Sequence, residues 1–132
     1  MNEDQLLSLR PTVETAEGAL PTEAFQNEVL RPVIKMQHQV ILRAWHRYVI
    51  EQKGKFYKLN RPDQEVYIRH AFQSNRAFRA FNLGLVCGVL TEVEWETFSQ
   101  NEKELSKRVF NLIAQRVGSS PEAYASSGSF SL

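Results

Sequence analysis

The sequence has only one cysteine, Cys87, so it cannot form an intramolecular disulfide. Folds stapled by disulfides are therefore excluded, and a lone thiol favours a reducing, cytoplasmic environment. Cys87 lies in the apolar run 85–90, where a small buried hydrophobic side chain is the expected role. A nucleophilic cysteine needs a base and an electropositive setting, and its sequence neighbours supply neither.

The chain also lacks a large excess of charge of one sign and a long apolar run. The 16 Lys and Arg nearly balance the 15 Asp and Glu, which leaves a net charge of +1. Proteins that bind nucleic acid usually carry a basic excess, so such a partner is not favoured unless a local patch supplies it. No apolar run approaches the roughly 20 residues that span a bilayer. The acidic start of the chain predicts no signal peptide, and we expect a cytoplasmic protein without a membrane partner.

Apolar residues recur at the three- and four-residue spacing of amphipathic helices through most of the chain. The predicted helices are 22–31, 32–52, 61–73, 74–89 and 92–117. Pro32 predicts a kink or break just before it, because its ring clashes with the preceding helical turn. Segments 61–73 and 74–89 are either two helices or one bent helix, since no Gly or Pro separates them.

Four side chains are candidate N-caps for these helices: Thr22, Asn60, Ser74 and Thr91. Thr91 is followed three residues later by Glu94, which is the spacing of a capping box. Short connections favour neighbouring helices that run in opposite directions. The predicted fold is therefore all-α, a compact bundle of four to five helices that are mostly antiparallel.

The 132 residues fit one domain, which we divide at the stretches rich in Pro, Gly and Ser. Residues 1–21 are predicted to be a loosely ordered arm. Residues 22–118 are predicted to form the helical bundle. Residues 119–132 are rich in serine and are predicted to be a disordered tail.

The 32–52 helix is apolar around an unusually wide arc. Its apolar side chains are Val33, Ile34, Met36, Val40, Ile41, Trp45, Tyr48 and Val49. A helix that is apolar over so much of its circumference is usually central in a bundle or buried in a dimer.

Metal or acid–base chemistry would depend on the histidines His38, His46 and His70. Zinc sites on one helix use histidines four residues apart, and di-iron bundles use Glu-x-x-His, but the sequence has neither pattern. We therefore expect no metal and no cofactor. His46, beside Trp45 and Tyr48, is the candidate acid–base group of a small enzyme, and a structural histidine is the alternative.

Arg31, Lys35, Arg43 and Arg47 follow one i+4 ridge, with Gln39 between them. A ridge of cations near aromatic side chains is suited to binding phosphates or single-stranded bases. The alternative is that these side chains pair with acids or lie over apolar surface.

Gly84 and Gly88 are four residues apart in a predicted helix, where they leave a groove that a second helix can approach. Each glycine costs about 1 kcal/mol relative to alanine in a helix, so the pair needs an explanation. The candidates are close packing inside the monomer, a homodimer contact and a niche for a small ligand.

The segment 24–35, AFQNEVLRPVIK, resembles an opening segment of small all-helical bacterial proteins of unknown function. The spacing of Phe78, Phe81 and Gly84 and the Thr91 capping box followed by aromatic residues are similar too. The resemblance covers residues 24–117, and it implies neither an activity nor any functional residue.

Three functions stay open as hypotheses. The first is a non-catalytic helical protein that acts through protein–protein contacts, as a homodimer. The second is a module that binds nucleic acid or a phosphorylated ligand through the Arg/Lys ridge. The third is a small enzyme with a pocket at His46. The sequence contains no phosphate loop, nucleophile elbow or zinc-ligand cysteine pair, which favours a protein that is not an enzyme.

Overall fold

The computed structural model describes residues 2–11 and 21–126. Every regular element in these ranges is helical, which confirms the all-α prediction. The α-helices are α1 (Glu3–Ser8), α2 (Pro21–Phe25), α3 (Arg31–Met36), α4 (His38–Glu51), α5 (Arg61–Ser74), α6 (Arg76–Cys87), α7 (Glu92–Gln100) and α8 (Glu102–Ser119). A π-helical turn covers Gln26–Leu30, and 3-10 turns cover Lys55–Lys58 and Pro121–Ala123. None of the helices in the described ranges is both long and apolar enough to cross a membrane.

Side-chain caps determine where several helices begin. The Thr91 hydroxyl accepts a hydrogen bond from the Glu94 amide at 3.2 Å. The Glu94 carboxylate accepts one from the Thr91 amide at 2.9 Å. These two hydrogen bonds confirm the predicted capping box. Asn60 caps α5 as predicted. The predicted cap at Ser74 is wrong, because Asn75 caps α6 instead. The predicted cap at Thr22 is wrong as well, because Thr22 lies inside α2 and its hydroxyl donates to Glu104. Asn75 has extended backbone between α5 and α6, so these segments are two separate helices.

The break predicted before Pro32 takes the form of a π-helical turn. The Arg31 amide donates to the carbonyl of Gln26, five residues back. A wider turn suits a proline, which has no N–H to donate and whose ring crowds a regular α-helical turn. The predicted 32–52 helix also breaks at Gln37, whose side chain donates to the Leu85 carbonyl at 2.9 Å. Periodicity could not predict this second break, because it is stabilised by a distant residue.

The predicted 92–117 helix is likewise divided, at Asn101, into α7 and α8. The backbone of Asn101 leaves the helical region, with φ −129° and ψ 31°. Its side-chain amide donates to the Thr97 carbonyl at 3.0 Å. Asparagine competes with the helix in this way because its short side chain reaches nearby backbone groups.

Cross-helix contacts give the helix directions. Residue numbers rise together in the hydrogen-bonded pairs between the α2–α4 run and α8, so this run is parallel to α8. The pairs are Thr22–Glu104, Gln26–Arg108 and His38–Arg116. The antiparallel arrangement expected from short loops does not hold for this pair, because α5, α6 and α7 lie between the two in the chain.

By contrast, α4 and α6 are antiparallel. The Gln37 side chain at the start of α4 reaches Leu85 near the end of α6. Further along α4, the Tyr48 ring stacks on Phe78 near the start of α6, with ring centroids 4.3 Å apart. These two contacts place the α4–α6 pair side by side over most of the length of α6.

An aromatic cluster around Trp45 forms the centre of the core. The Trp45 side chain is fully buried, and its ring lies within 6.2 Å, centroid to centroid, of five other rings. These rings belong to Tyr48, Phe56, Tyr67, Phe72 and Phe78. The wide apolar arc of the 32–52 segment is therefore used largely inside the monomer.

The described parts of both chain ends contact the helical bundle. In the N-terminal arm, residues 2–11 include α1, and Arg10 forms a two-pronged ion pair with Glu94. In the C-terminal tail, residues 119–126 turn back onto α4, and Ala123 is fully buried. The remainder of the predicted arm and tail lies outside the described residues. A few specific contacts therefore join the described part of each segment to the bundle.

Candidate functional site: the α4–α6 surface

The predicted Arg/Lys ridge does not form one continuous surface. Arg31 and Lys35 lie on α3, whereas Arg43 and Arg47 lie beyond the break, on α4. Arg31 lines a depression next to α8, and Arg47 lines a different cleft next to α6. The ridge is divided because the α3–α4 break separates its halves, so only Arg43 and Arg47 remain together.

The ridge side chains are engaged to different degrees. Arg31 donates to the Asn27 side chain at 3.0 Å. Arg47 pairs with Glu51 at 3.0 Å, but this is an exposed i,i+4 pair, and such pairs contribute only about 0.3–0.5 kcal/mol. Within the described residues, neither Lys35 nor Arg43 has a hydrogen-bond or ion-pair partner. The cations of α4 are therefore available to a binding partner.

The two glycines do not bring helices together inside the monomer. Among the residues that the structure describes, a Cβ at Gly84 would meet no atom within 4 Å. At Gly88 the nearest atom to a Cβ is the Gly84 carbonyl oxygen of the preceding turn, at 2.9 Å. No atom of another described helix comes within 4 Å of either position. Close packing within the monomer, one of the explanations considered for this pair, is therefore not what the structure shows.

A cleft of about 460 Å³ runs between α4 and α6. The ring stack of Tyr48 on Phe78 lies in its lining, and Phe81 lines it with half of its surface (50%) exposed. Val40 on α4 is 40% exposed. We call the surface around this cleft the α4–α6 surface; it comprises the cleft-lining residues Ala44, Arg47, Glu51, Ala77 and Phe81 and, one helical turn from them, Val40, Arg43 and Gly84. Its middle is apolar, and its charged side chains are Arg43 and the ion-paired Arg47 and Glu51.

A second cleft, of about 420 Å³, lies between α5 and α8. Its apolar lining residues Ile68, Phe72 and Phe110 are all buried. Its rim is polar, with Arg69 and Gln115 among the lining side chains. Because it presents no large exposed apolar side chain, the α4–α6 surface is the better candidate for binding a protein.

Sequence reasoning predicted Phe81 as one apolar position among several on its helix. The structure leaves Phe81 half exposed, while Phe78, one turn earlier, is buried. Helical spacing cannot separate the two, because both lie on the same apolar side of α6. Only the position of α4 decides which ring is covered.

His46, the candidate acid–base group, forms a hydrogen bond through each of its ring nitrogens. Its Nε2 lies 2.9 Å from the carbonyl oxygen of Glu122, and its Nδ1 lies 2.7 Å from the Tyr57 hydroxyl. A carbonyl can only accept, so Nε2 carries the proton and Nδ1 accepts from Tyr57. The neutral ring therefore ties the C-terminal turn to α4. This geometry does not support the enzyme hypothesis, since both ring nitrogens already have partners.

The buried imidazole makes stability depend on pH. Burial lowers the pKa of His46 below 6.5, and the hydrogen bond to Glu122 offsets this only in part. The unfolded chain then binds more protons below pH 6.5, so the free energy of unfolding should decrease as the pH falls through this range. His46→Gln should flatten that slope in urea titrations at a series of pH values. The pKa of His38 is also lowered, by burial and by Arg116, so His38 should contribute part of the slope that remains.

A single outcome would contradict this assignment. If His46→Gln and the unmodified chain lost stability with the same slope between about pH 7 and pH 5, the neutral state of His46 would not be the cause.

Comparison of the chain with protein-family models, with curated proteins and with solved structures found no match.

Proposed function

We propose that this protein is a non-catalytic interaction module that associates with a second copy of itself through the α4–α6 surface. The observation that carries the proposal is the half-exposed Phe81 ring beside an apolar cleft that the described monomer leaves uncovered. Aromatic side chains seated in pockets supply much of the affinity of protein interfaces. The long helices α4, α5, α6 and α8 act as the bundle that holds this surface rigid.

The open glycine supports the same surface. Gly84 lies in the second half of α6, on the side that faces solvent, and nothing in the described monomer uses the missing side chain. A glycine here lowers helix stability, but it lets the backbone of a second molecule approach closely. A homodimer contact and a ligand niche therefore remain as explanations for the glycine pair, and the exposed Phe81 one turn earlier supports the contact.

Two groups that enzymes commonly use, a histidine and a cysteine, are occupied or unreactive in this chain, which supports a non-catalytic role. His46 has a structural partner on each ring nitrogen. Burial, with a smaller contribution from Glu102, raises the pKa of the Cys87 thiol to about 11. The thiol is therefore almost entirely protonated near neutral pH, and a protonated thiol is a poor nucleophile.

Sedimentation velocity over a concentration series tests the proposal. The unmodified chain should associate at tens of micromolar, and Phe81→Ser should raise the dissociation constant about tenfold or more. Val66→Ser is the matched control, because Val66 is 54% exposed but lies on α5, away from the α4–α6 surface. A chain that stays monomeric throughout the series would overturn the proposal.

Gly84→Ala should separate monomer stability from association. In the monomer the added methyl group meets no atom, so we expect the free energy of unfolding to increase by about 0.5–1 kcal/mol. In the associated state the same methyl group should obstruct the close approach of a second backbone and weaken association. Urea unfolding of dilute protein measures the first effect, and sedimentation velocity measures the second. Unchanged association would remove Gly84 from the contact.

The same cleft supports a second candidate function, which is binding to a single-stranded nucleic acid or another phosphorylated ligand. Arg47 lines the cleft together with Tyr48 and Phe81, and cations beside exposed rings can hold phosphates and stack bases. Fluorescence anisotropy with a labelled single-stranded oligonucleotide at low salt tests this function. Binding should weaken in the double variant Arg43→Gln, Arg47→Gln and show a shallower salt dependence. No binding at low salt would remove this candidate.

A further inference from the structure

A depression of about 450 Å³ lies where α8 meets the π-helical turn and α3. Among the described residues that line it, three are cations and one is an acid: Arg31 from α3, and Lys107, Arg108 and Glu104 from α8. We call it the α3–α8 depression. Like charges repel one another, so an excess of cations in one concave site favours an anion.

The carboxylate of this depression is already engaged. Glu104 accepts a hydrogen bond from Arg108 Nη2 at 3.0 Å and another from the Thr22 hydroxyl at 3.2 Å. The hydrogen bond from Arg108, together with that from Thr22, lowers the pKa of Glu104, so this carboxylate is charged at neutral pH. It balances one of the three cations, which leaves the other two without a counter-charge in the lining.

These two cations also have donor groups to offer. Arg31 uses its Nε on Asn27 at 3.0 Å, and its two Nη groups have no partner in the described part of the chain. Within the same ranges, Lys107 takes part in no hydrogen bond or ion pair. Arg108 Nη1 donates to the Gln26 side chain at 2.9 Å, which holds α8 against the π-helical turn. Guanidinium and ammonium groups are the donors that bind phosphate oxygens in proteins, so Arg31 and Lys107 suit a phosphate.

The α3–α8 depression adjoins the cleft between α5 and α8, because Asn111 and Gln115 line both. Their side-chain amides have no hydrogen-bond partner among the described residues. Lys107 precedes Asn111 by four residues, about 6 Å along the helix. The cleft beyond them has an apolar floor that includes Phe72 and Phe110. A ligand held at Lys107 can therefore extend past Asn111 onto this floor.

The cleft between α5 and α8 suits the uncharged part of such a ligand. Its charged lining residues are Arg69 and Glu65, one of each sign, so it does not favour an anion as the α3–α8 depression does. Its volume is about 420 Å³. A cavity of about 150 Å³ is enough to hold benzene, so this cleft has room for a ring.

We propose that this protein binds a small phosphate monoester, with the phosphate in the α3–α8 depression and an apolar organic group in the cleft between α5 and α8. A phosphate monoester carries a charge of about −1.5 to −2 at pH 7, which matches the two cations that Glu104 leaves unbalanced. Neither lining includes a residue of the α4–α6 surface. The inference therefore goes beyond the proposed self-association, and either can fail without the other.

Isothermal titration calorimetry with phenyl phosphate and with inorganic phosphate tests the site. Phenyl phosphate should bind about tenfold more tightly, because the cleft removes its ring from water. Lys107→Gln should weaken the binding of both ligands about fivefold to tenfold. Lys103→Gln is the matched control, because it removes the same charge from an exposed position of α8 that does not line the depression. It should change either affinity by less than about twofold, since an exposed charge outside the site is screened.

Three results would overturn the proposal. The first is a lack of phenyl phosphate binding at millimolar concentration. The second is equal weakening by Lys107→Gln and Lys103→Gln, which would mean that the overall charge of α8 attracts the anion without a specific site. The third is equal affinity for the two ligands, which would mean that the ring does not enter the cleft. Phe81→Ser, which should disturb self-association, should leave both affinities unchanged, and circular dichroism verifies that each variant is folded.

Discussion

Replacing Trp45 with alanine should lower the free energy of unfolding by about 3–5 kcal/mol, the largest effect expected from a single substitution in this chain. The side chain is fully buried among five other aromatic rings, so its removal leaves a cavity that the rings can close only in part. The indole N–H also donates to the Ala123 carbonyl at 3.2 Å. Without that donor a buried carbonyl is left unpaired, which adds to the cost.

The two tryptophans of the chain form a matched pair for this measurement. Trp95→Ala removes a side chain of the same size from a half-exposed position and should cost less than about 1 kcal/mol. Trp45→Phe keeps most of the ring volume but removes the hydrogen bond to Ala123, so its cost should fall between those of the two alanine variants. Urea unfolding followed by circular dichroism measures all three. Equal costs for Trp45→Ala and Trp95→Ala would show that Trp45 is not the centre of the core.

Replacing Arg10 with methionine should lower the free energy of unfolding by about 2–3 kcal/mol. Arg10 and Glu94 are joined by two contacts of 2.6 Å, and their side chains are only 7% and 15% exposed. Arg10 also donates to the Val89 carbonyl at 2.9 Å. The loss is smaller than for a pair deep in a core, because Glu94 regains water when the N-terminal arm undocks.

Acid should diminish the effect of Arg10→Met. Burial raises the pKa of Glu94, but the hydrogen bonds from Arg10 and Thr91 outweigh it, so the pKa lies below 4.5. Stability from this carboxylate is present above pH 4.5 and is lost as the pH falls through the lower folded-state value. The difference between Arg10→Met and the unmodified chain should therefore narrow in strongly acidic buffer. A difference that stays constant would show that packing of the arginine stem, and not charge, causes the loss.

Glu51→Gln is the control for an ion pair of ordinary strength. The Arg47–Glu51 pair is exposed on both sides, so breaking it should change the free energy of unfolding by no more than about 0.5 kcal/mol. Dilute protein should be used for this measurement, so that the association of copies does not contribute. If Glu51→Gln lowered the free energy of unfolding as much as Arg10→Met, burial would not explain the difference expected between the two ion pairs.

The helical class and the capping box at Thr91 could be predicted, because each depends on residues within a few positions of one another. Two helix breaks, at Gln37 and Asn101, were not predicted, for different reasons. The Asn101 contact with Thr97 is local, but apolar spacing does not show it. Gln37 leaves the helical path where its side chain reaches Leu85, a residue 48 positions away. A pattern of apolar spacing carries no information about such a contact.

The candidate site shows the same division between local and distant information. The sequence grouped Arg31, Lys35, Arg43 and Arg47 on one ridge, which assumed a continuous helix. In the structure Arg31 lines a depression next to α8, whereas Arg47 lines the cleft next to α6 that also contains the exposed Phe81. The ring stack of Tyr48 on Phe78 and the exposure of Phe81 depend on how α4 and α6 pack, and no local pattern specifies that.

The sequence by itself determined that the chain is all-α, where several helices begin, and that its cysteine cannot form an intramolecular disulfide. These properties follow from hydrogen bonds and side-chain spacing within one or two helical turns. The tertiary structure alone decided that α8 runs parallel to α2–α4, that His46 binds the C-terminal turn, and that Phe81 stays exposed. Each of these depends on contacts between residues far apart in the chain, whose formation is governed by the packing of whole helices.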